Sequence, residues 1–432
     1  MKRAERLFHI LAFAWQCNAL LPLLSRSSGD TTDLGAANPL ATIGNAGVLG
    51  VILVLMLSHW RMVLRLAPGM WPVLALVSLA VLSTTWSDYP AITVRRAGTL
   101  ATITMWAWYI TARYDLKDII SIVRQVMWLV ALGSLAIGIG APGLGRSPDG
   151  EGWIGVFQTK NELGMIMALS IISFFYELLA QMFSQRSRSL TILFSVAGLL
   201  LCCGLLYLSQ SRTAWVTGLI GLIFCIVAKL THKRVGAAII IWTAIVLLLG
   251  PAVVLAMDQL GTIATMLGKD SSLTGRVDLW LELPSYILQR LWLGHGLGAF
   301  WVDQSPNVLE IWTAVDWEPP EAHNGWLDLL LELGVVGLGL VAIQMLLLLT
   351  NGIRAVIDGQ EPGAQYLLAT VFAILIHNLA ESGLVRPSIS WCLLVVATAA
   401  LAKIARERQT TRQPRFAVRF QRREPTASPR VR

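Results

Sequence analysis

Long apolar runs separated by short polar ones dominate this chain. Twelve such runs occupy residues 7–24, 40–58, 70–84, 96–112, 119–140, 163–181, 190–208, 213–229, 236–257, 326–350, 364–380 and 388–402. A helix needs about 20 apolar residues to cross a bilayer. Stretches such as GVLGVILVLML and VGAAIIIWTAIVLLLGPAVVLAM supply that character. The pattern predicts an all-α integral membrane protein of about twelve transmembrane helices. The third and twelfth runs are short, so eleven is the alternative count. The first run follows Lys2, Arg3 and Arg6 like a signal peptide. Without a clear small-residue cleavage site after it, it is expected to stay as a first span.

One interval breaks the pattern. Residues 258–325 carry nine acids (Asp258, Asp270, Asp278, Glu282, Asp303, Glu310, Asp316, Glu318 and Glu321) against three Lys or Arg. They also hold Trp280, Trp292, Trp301, Trp312 and Trp317, too much aromatic surface for a disordered linker. Loops this long are usually functional. Within it, residues 275–291 predict a short amphipathic helix. Val277, Trp280, Leu281, Ile287, Leu288 and Leu291 fall on one face, and Asp278, Glu282, Ser285 and Gln289 on the other. Thr274 suits the N-cap, and Asp278 in the first turn suits the helix dipole. Such a helix can lie on the membrane surface and cover a cavity.

Composition agrees with the periodicity. The 432 residues are 55% hydrophobic and 14% charged, with mean hydropathy +0.63; soluble domains are about 25% charged. Cys17, Cys202, Cys203, Cys225 and Cys392 all lie in apolar runs without a CxxC pair, so they read as small core residues, not disulfide or metal ligands. The basic loops fix the orientation. With the N-terminus cytoplasmic, 24 of the 34 Lys and Arg fall on the cytoplasmic side, ten of them after residue 402. The expected organisation is a membrane domain at 1–402, the large periplasmic loop at 258–325, and a basic, disordered cytoplasmic tail at 403–432. The tail is expected to rest on anionic lipid and not on nucleic acid. Both termini are then cytoplasmic.

That orientation places an unusual set of polar residues outside. Arg95 and Arg96 lie in TTWSDYPAITVRRAG, Lys160 and Asn161 in GVFQTKNELG, and Arg212 in SQSRTAW. Arg276 lies in LTGRVDLW and His323 with Asn324 in EAHNGWLDLLLELG. His377, Asn378 and Glu381 lie in LIHNLAESGLVRP. Each has a plainer reading. A single arginine at a span end can snorkel to lipid phosphate, as Glu177 can toward the inner boundary. Asn161 and Asn324 can cap helices, His295 can be a turn residue among glycines, and His377 a buried core residue. Together they exceed that reading, because several cations from separate elements sit on the side that orientation depletes of positive charge.

Guanidinium forks match phosphate oxygens bidentately and stay charged. A lipid-linked diphosphate presents its anion at this depth. In glycosyl transfer the diphosphate is the leaving group, and arginines on it stabilise the charge that develops. A nearby histidine or carboxylate can take the acceptor's proton. Ser209, Gln210, Ser211 and Thr213 are candidates for holding Arg212 in one orientation. No His/Cys set has zinc spacing, and GHGLG matches neither a P-loop nor a dinucleotide fingerprint. No metal, nucleotide or other cofactor is expected. A transporter or flippase is the rival class, but transporters place polar groups near the bilayer midplane, and these spans have almost none.

In that order, WSDYPAITVRRAG, GVFQTKNELG, SQSRTAW, LTGRVDLW, LWLGHGLGAF, HNGWLDLLLELG and NLAES resemble the O-antigen ligase and polymerase superfamily over about residues 80–390. WSDYP, RRAG and KNELG lean toward the ExoQ-type exopolysaccharide polymerases. The resemblance implies a GT-C-like, metal-independent glycosyltransferase of the bacterial inner membrane, facing the periplasm. It implies undecaprenyl-diphosphate-linked oligosaccharide as substrate. It carries functional roles to Arg212 and Arg276 at the diphosphate and to His323 at the acceptor. Arg95, Arg96, Lys160, Asn161, Asn324, Asn378 and Glu381 are expected around the diphosphate or glycan. A chain-length regulator and a flippase of the same pathway are the expected protein partners. A ligase to lipid A-core shares the same donor chemistry and stays open as the alternative.

Overall fold

The computed structural model describes residues 3–16, 39–148, 150–185, 188–230, 274–303, 305–359, 361 and 363–412. The predicted span at 236–257, the start of the large loop and the end of the basic tail lie outside these residues. The described residues form thirteen principal helices: α1 (Arg3–Gln16), α2 (Pro39–Ser58), α3 (Trp60–Leu82), α4 (Pro90–Arg113), α5 (Leu116–Gly140), α6 (Lys160–Met182), α7 (Ser189–Ser209), α8 (Arg212–Leu230), α9 (Thr274–Gln289), α10 (Pro306–Val315), α11 (Gly325–Ile357), α12 (Gly363–His377) and α13 (Ile389–Arg412). Among the described residues no strand is present.

Among the described residues, seven helices are long and apolar enough to cross a membrane: α3, α5, α6, α7, α8, α11 and α13. α2 and α12 are shorter apolar helices. α4 is poorer in apolar residues because neighbours enclose it, so it can carry Thr102, Thr104 and Thr111 in its buried face. Trp391 of α13 donates to Thr104 Oγ1 at 2.9 Å across that contact. α13 is the most enclosed of the seven spanning helices and packs on α3, α4 and α11.

Three boundaries differ from the sequence pattern. α3 starts ten residues before the apolar run at 70–84, carrying Arg61, Arg65 and two internal prolines, Pro68 and Pro72. α11 continues to Ile357 and is broken at Gly334. α13 continues to Arg412, so the first ten residues assigned to a disordered tail are helical. Contacts explain the extension. Lys403 donates to Thr111 O and Tyr114 O at 3.2 and 3.0 Å, satisfying carbonyls at the end of α4, and Arg408 pairs with Asp358 at 2.8 Å.

The large loop has its own core. Leu279, Leu283, Tyr286 and Ile287 of α9 pack with Phe300, Trp301, Val308 and Ile311. The α9 helix falls where the periodicity places it, but Thr274 is its first residue and not a flanking cap. Its buried face also differs. Val277, Leu281 and Leu288 are exposed, while Leu279 and Leu283 are fully buried. The helix is apolar on two sides: of the predicted face, Ile287, Trp280 and Leu291 join the loop core, while Val277, Leu281 and Leu288 stay exposed.

Candidate functional site

The loop is anchored to α11 through the break in that helix. Gly334 takes φ 63° and ψ −165°, which a side chain resists. A Cβ there would also stand 2.4 Å from the Trp292 carbonyl carbon. The freed amides of Val335 and Val336 donate to Leu291 O and Trp292 O at 2.9 and 3.2 Å. In the reverse direction, His295 N and Gly296 N donate to Leu331 O and Glu332 O at 2.8 and 2.9 Å. The GHGLG glycines are therefore docking residues.

His295 is buried at that joint and is more than a turn residue. Its Nε2 donates to Tyr286 O at 3.2 Å, and its Nδ1 lies 3.5 Å from Asp88. Asp88 also pairs with Arg290 at 2.6 Å, and Arg290 donates to Trp86 O at 2.9 Å. The WSDYP motif thus clamps the loop.

A second joint brings two other motifs together. The SQSRTAW turn passes from α7 to α8 with Gln210 in the left-handed region, φ 54°. Gly164 of KNELG meets it so closely that a Cβ would lie 2.7 Å from Ser211 Cβ. Thr159 caps α6 by accepting from Glu162 N at 3.1 Å, while Glu162 accepts from Gln158 N at 3.0 Å, a reciprocal cap. Because Thr159 is the cap, Asn161 is free to reach elsewhere. Its Nδ2 donates to Glu381 Oε1 at 2.9 Å.

Glu381 is the centre of the site. It lies between α12 and α13 and is 4% exposed. Its Oε1 accepts from Asn161 and, at 3.1 Å, from Arg276 Nη2, whose Nη1 bonds Ala380 O at 2.5 Å. Its Oε2 faces His323 Nδ1 at 3.4 Å. Burial pushes the Glu381 carboxyl up. The hydrogen bond from His323 and the charges of Arg276, His323 and His377 outweigh it and hold the group at about 2. An Nδ1 facing an ionised carboxylate carries the proton, which leaves Nε2 as the basic nitrogen of His323. His323 is held in a left-handed backbone, φ 49°, and its ring stacks on Trp317 with centroids 5.9 Å apart. Trp317 in turn packs on Gly275, beside Arg276.

Other predicted residues take other places. Arg212 opens α8 and is exposed; among the described residues it has no hydrogen bond or ion pair. Ser209 and Ser211 fold the turn through Ser209 Oγ, which donates to Leu206 O at 2.7 Å and accepts from Ser211 N at 3.3 Å. Gln210 supplies the turn's left-handed conformation, and Thr213 is buried; among the described residues none of the four bonds the guanidinium. Asn324 caps α11, accepting from Trp326 N and Leu327 N at 3.0 and 3.3 Å, and spends its amide on Leu379 O at 3.3 Å. Asn378 is buried and donates to Ile374 O at 2.8 Å, and its backbone carbonyl receives Gly325 N at 2.9 Å. Lys160 pairs with Glu151 at 2.7 Å. Arg95 and Arg96 occupy α4, and Arg96 lies directly under Gly298. His377 is a buried core residue, its Nδ1 3.3 Å from Thr217 Oγ1. Glu177, expected to snorkel, pairs with Arg124.

A neighbouring cluster escaped the sequence reading. Arg386 pairs with Glu321, lies 3.0 Å from Asp328 Oδ2 and 3.9 Å from Glu332. Asp328 also accepts from Trp301 Nε1 at 2.7 Å and Ala322 N at 3.1 Å. Glu321 links this cluster to the first, with Oε1 3.8 Å from His323 Nδ1. Glu321, His323 and Glu381 bring ligand atoms within 4.8 Å of one another, a set with metal-binding character. Both carboxylates already face arginines, however, so their charge is offset without a cation.

Residues 197–342 match a family model described as O-Antigen ligase. That stretch includes Arg212, Arg276, Glu321 and His323 and excludes Asn161, Glu381 and Arg386. The chain is 24% identical over 383 residues to the Exopolysaccharide production protein ExoQ of Rhizobium meliloti (strain 1021), across 85% of this chain and 86% of that protein. The chain is thus similar, over these stretches, to an O-antigen ligase family model and to an exopolysaccharide production protein, and it is itself a helical protein with several apolar helices long enough to span a membrane. Together the two similarities establish the chain's resemblance to the O-antigen ligase and polymerase superfamily, in its ExoQ-type branch.

Proposed function

We propose that this chain is an inner-membrane glycosyltransferase that polymerises undecaprenyl-diphosphate-linked repeat units into exopolysaccharide. Its reaction site faces the periplasm, its fold is a GT-C-like set of twelve spans, and both termini are cytoplasmic. The observation that carries this reading is the convergence on Glu381 of Arg276, His323 and Asn161, from three separate segments.

In the reaction, the acceptor hydroxyl oxygen bonds the sugar carbon that carries the diphosphate. The bond from that carbon to the diphosphate oxygen breaks, and the diphosphate leaves with the electron pair. The hydroxyl proton passes to His323 Nε2. Arg276 and Arg212 meet the diphosphate, where fixed cations lower the barrier most. Arg276 comes from the loop core and Arg212 from a membrane helix, so the two can grip one anion from different sides. Arg95, Arg96 and Lys160 add positive charge around the same end of the helices. Asn324 and Asn378 shape the glycan side through the backbone they hold. The proposed reaction uses no metal; Glu381 and Glu321 face Arg276 and Arg386 instead. A flippase that delivers the lipid-linked unit and a chain-length regulator are the protein partners this role requires.

The relative's name, which speaks of exopolysaccharide production, favours a polymerase. The family model's description favours the second reading, transfer of finished glycan to lipid A-core. Purified protein given a lipid-linked repeat unit, with product length read on a gel, decides. A polymerase makes a ladder. In a deletion strain it leaves a single repeat unit on the carrier, whereas loss of a ligase leaves a lipid-linked ladder. Arg276→Ala and Arg212→Ala are each expected to lower polymer formation by about 10²-fold or more with normal membrane insertion. Full-length polymer from either variant would overturn the diphosphate role.

A further inference from the structure

We propose that Glu321 is a positioning residue for this reaction, a second carboxylate that holds His323 and sets how readily it takes the acceptor's proton. The inference rests on the reading of His323 as the acceptor base.

The geometry gives His323 Nδ1 two carboxylates, Glu381 Oε2 at 3.4 Å and Glu321 Oε1 at 3.8 Å. They are not equivalent. Glu381 is divided among Arg276, Asn161 and His323, so much of its charge is committed to the arginine. Glu321 touches neither Arg276 nor Asn161 among the described residues. Its other oxygen is held by Arg386. Arg386 is shared among three acids, Glu321, Asp328 and Glu332, and Arg96 also bears on Asp328 and Glu332. The oxygen of Glu321 nearer the ring, Oε1, faces the imidazole at 3.8 Å. Burial, the largest influence, pushes the Glu321 carboxyl up, against the pull of Arg386 and of a charge on His323.

When Nε2 accepts the acceptor's proton, the ring becomes a cation whose Nδ1–H lies between two carboxylates. The left-handed backbone at His323 and the Trp317 stack keep the ring from turning away. The other charged or titratable groups around this pair are Arg276 of α9, Asp328 and Glu332 of α11, His377 of α12, Arg96 of α4, and Glu381 and Arg386 of the loop before α13.

The test is the pH dependence of glycosidic-bond formation by the purified full chain. The substrate is the polyprenyl-diphosphate-linked repeat unit extracted from a strain lacking this protein. Wild type, Glu321→Gln and Glu321→Asp are compared, with thermal unfolding of each. In Glu321→Gln, kcat is expected to fall about 10-fold. The acidic limb of its profile is expected to move down by about one pH unit, because loss of a nearby negative charge weakens the imidazole's hold on a proton. Glu321→Asp keeps the charge, and its limb should stay at the wild-type position. A Glu321→Gln limb that stays put or moves up overturns the proposal. So does an equal loss of rate and unfolding temperature in both variants, which is the mark of a scaffold residue. If wild type forms no bond, the functional reading fails first and this inference falls with it.

Discussion

The two ends of the helix bundle handle charge differently. At the end where α4, α11 and α13 finish, the ion pairs named join one acid to one base. Arg124 faces Glu177, Arg408 faces Asp358, and Lys403 closes two carbonyls at the end of α4. At the opposite end, the charged partners at the candidate site are shared. Glu381 serves Arg276, Asn161 and His323, and Arg386 serves three acids. Matched pairs fix a structure, since each acid is committed to one base. Shared groups can redistribute their charge when a diphosphate arrives or an imidazole gains a proton. The difference teaches where chemistry is expected from the way charges are partnered, before any substrate is known.

The sharpest way to break the comparison is to remove the most shared group. Glu381→Gln keeps the shape of the side chain but not its charge. Arg276 and His323 then lose the acid that joins them. Polymer formation by purified protein should fall by about 10²-fold or more. Activity within a few-fold of wild type would show that sharing at Glu381 has no bearing on the reaction.

The same group gives a stability signature. Its carboxyl lies at about 2 in the fold, against an ordinary value of 4.5. A carboxyl lowered by folding stabilises the protein above its unfolded value, and that contribution is lost as pH falls through the folded value. The wild-type unfolding temperature should therefore drop as pH falls from about 4.5 toward about 2. In Glu381→Gln the drop over that window should be smaller, since the titrating group is gone. Parallel curves for the two proteins would place the ionised form elsewhere.

Much of this was legible in the sequence, and the failures have physical causes. Helices were readable because an apolar run in lipid has few other options. Arg276, His323, Asn161 and Glu381 were named from their outer-side motifs and the family resemblance, and the structure brings all four together. That Asn161 reaches Glu381 could not be read, because the cap at Thr159 which frees it looks like any other threonine. The second apolar side of α9, with Leu279 and Leu283, was not legible because Val277, Leu281 and Leu288 are as apolar, and periodicity cannot rank two apolar sides. The Arg386 cluster was missed although a signal was present. Asp328 and Glu332 stand four residues apart at the start of an apolar helix, where unpaired acids are costly. That spacing asked for a cation, and Arg386 lies more than fifty positions away, beyond the reach of local pattern.

The smallest effect is expected at the opposite end, and it is the control for all the others. Glu177 lies on α6, the helix that also carries Asn161, so it tests whether a change there is felt along the helix. Sixteen residues separate the two, roughly 24 Å of helix. Glu177→Gln removes the charge opposite Arg124 but leaves an amide that can still receive a hydrogen bond. Arg124 is partly exposed, so lipid phosphate or water can replace the lost acid. Stability should fall by about 1 kcal/mol, seen as a slightly lower unfolding temperature, while the polymerisation rate stays within about two-fold of wild type. A loss of rate as large as that of Glu381→Gln would mean that paired charges at one end govern the shared charges at the other. The two ends would then have to be treated as one coupled system, not as scaffold and site.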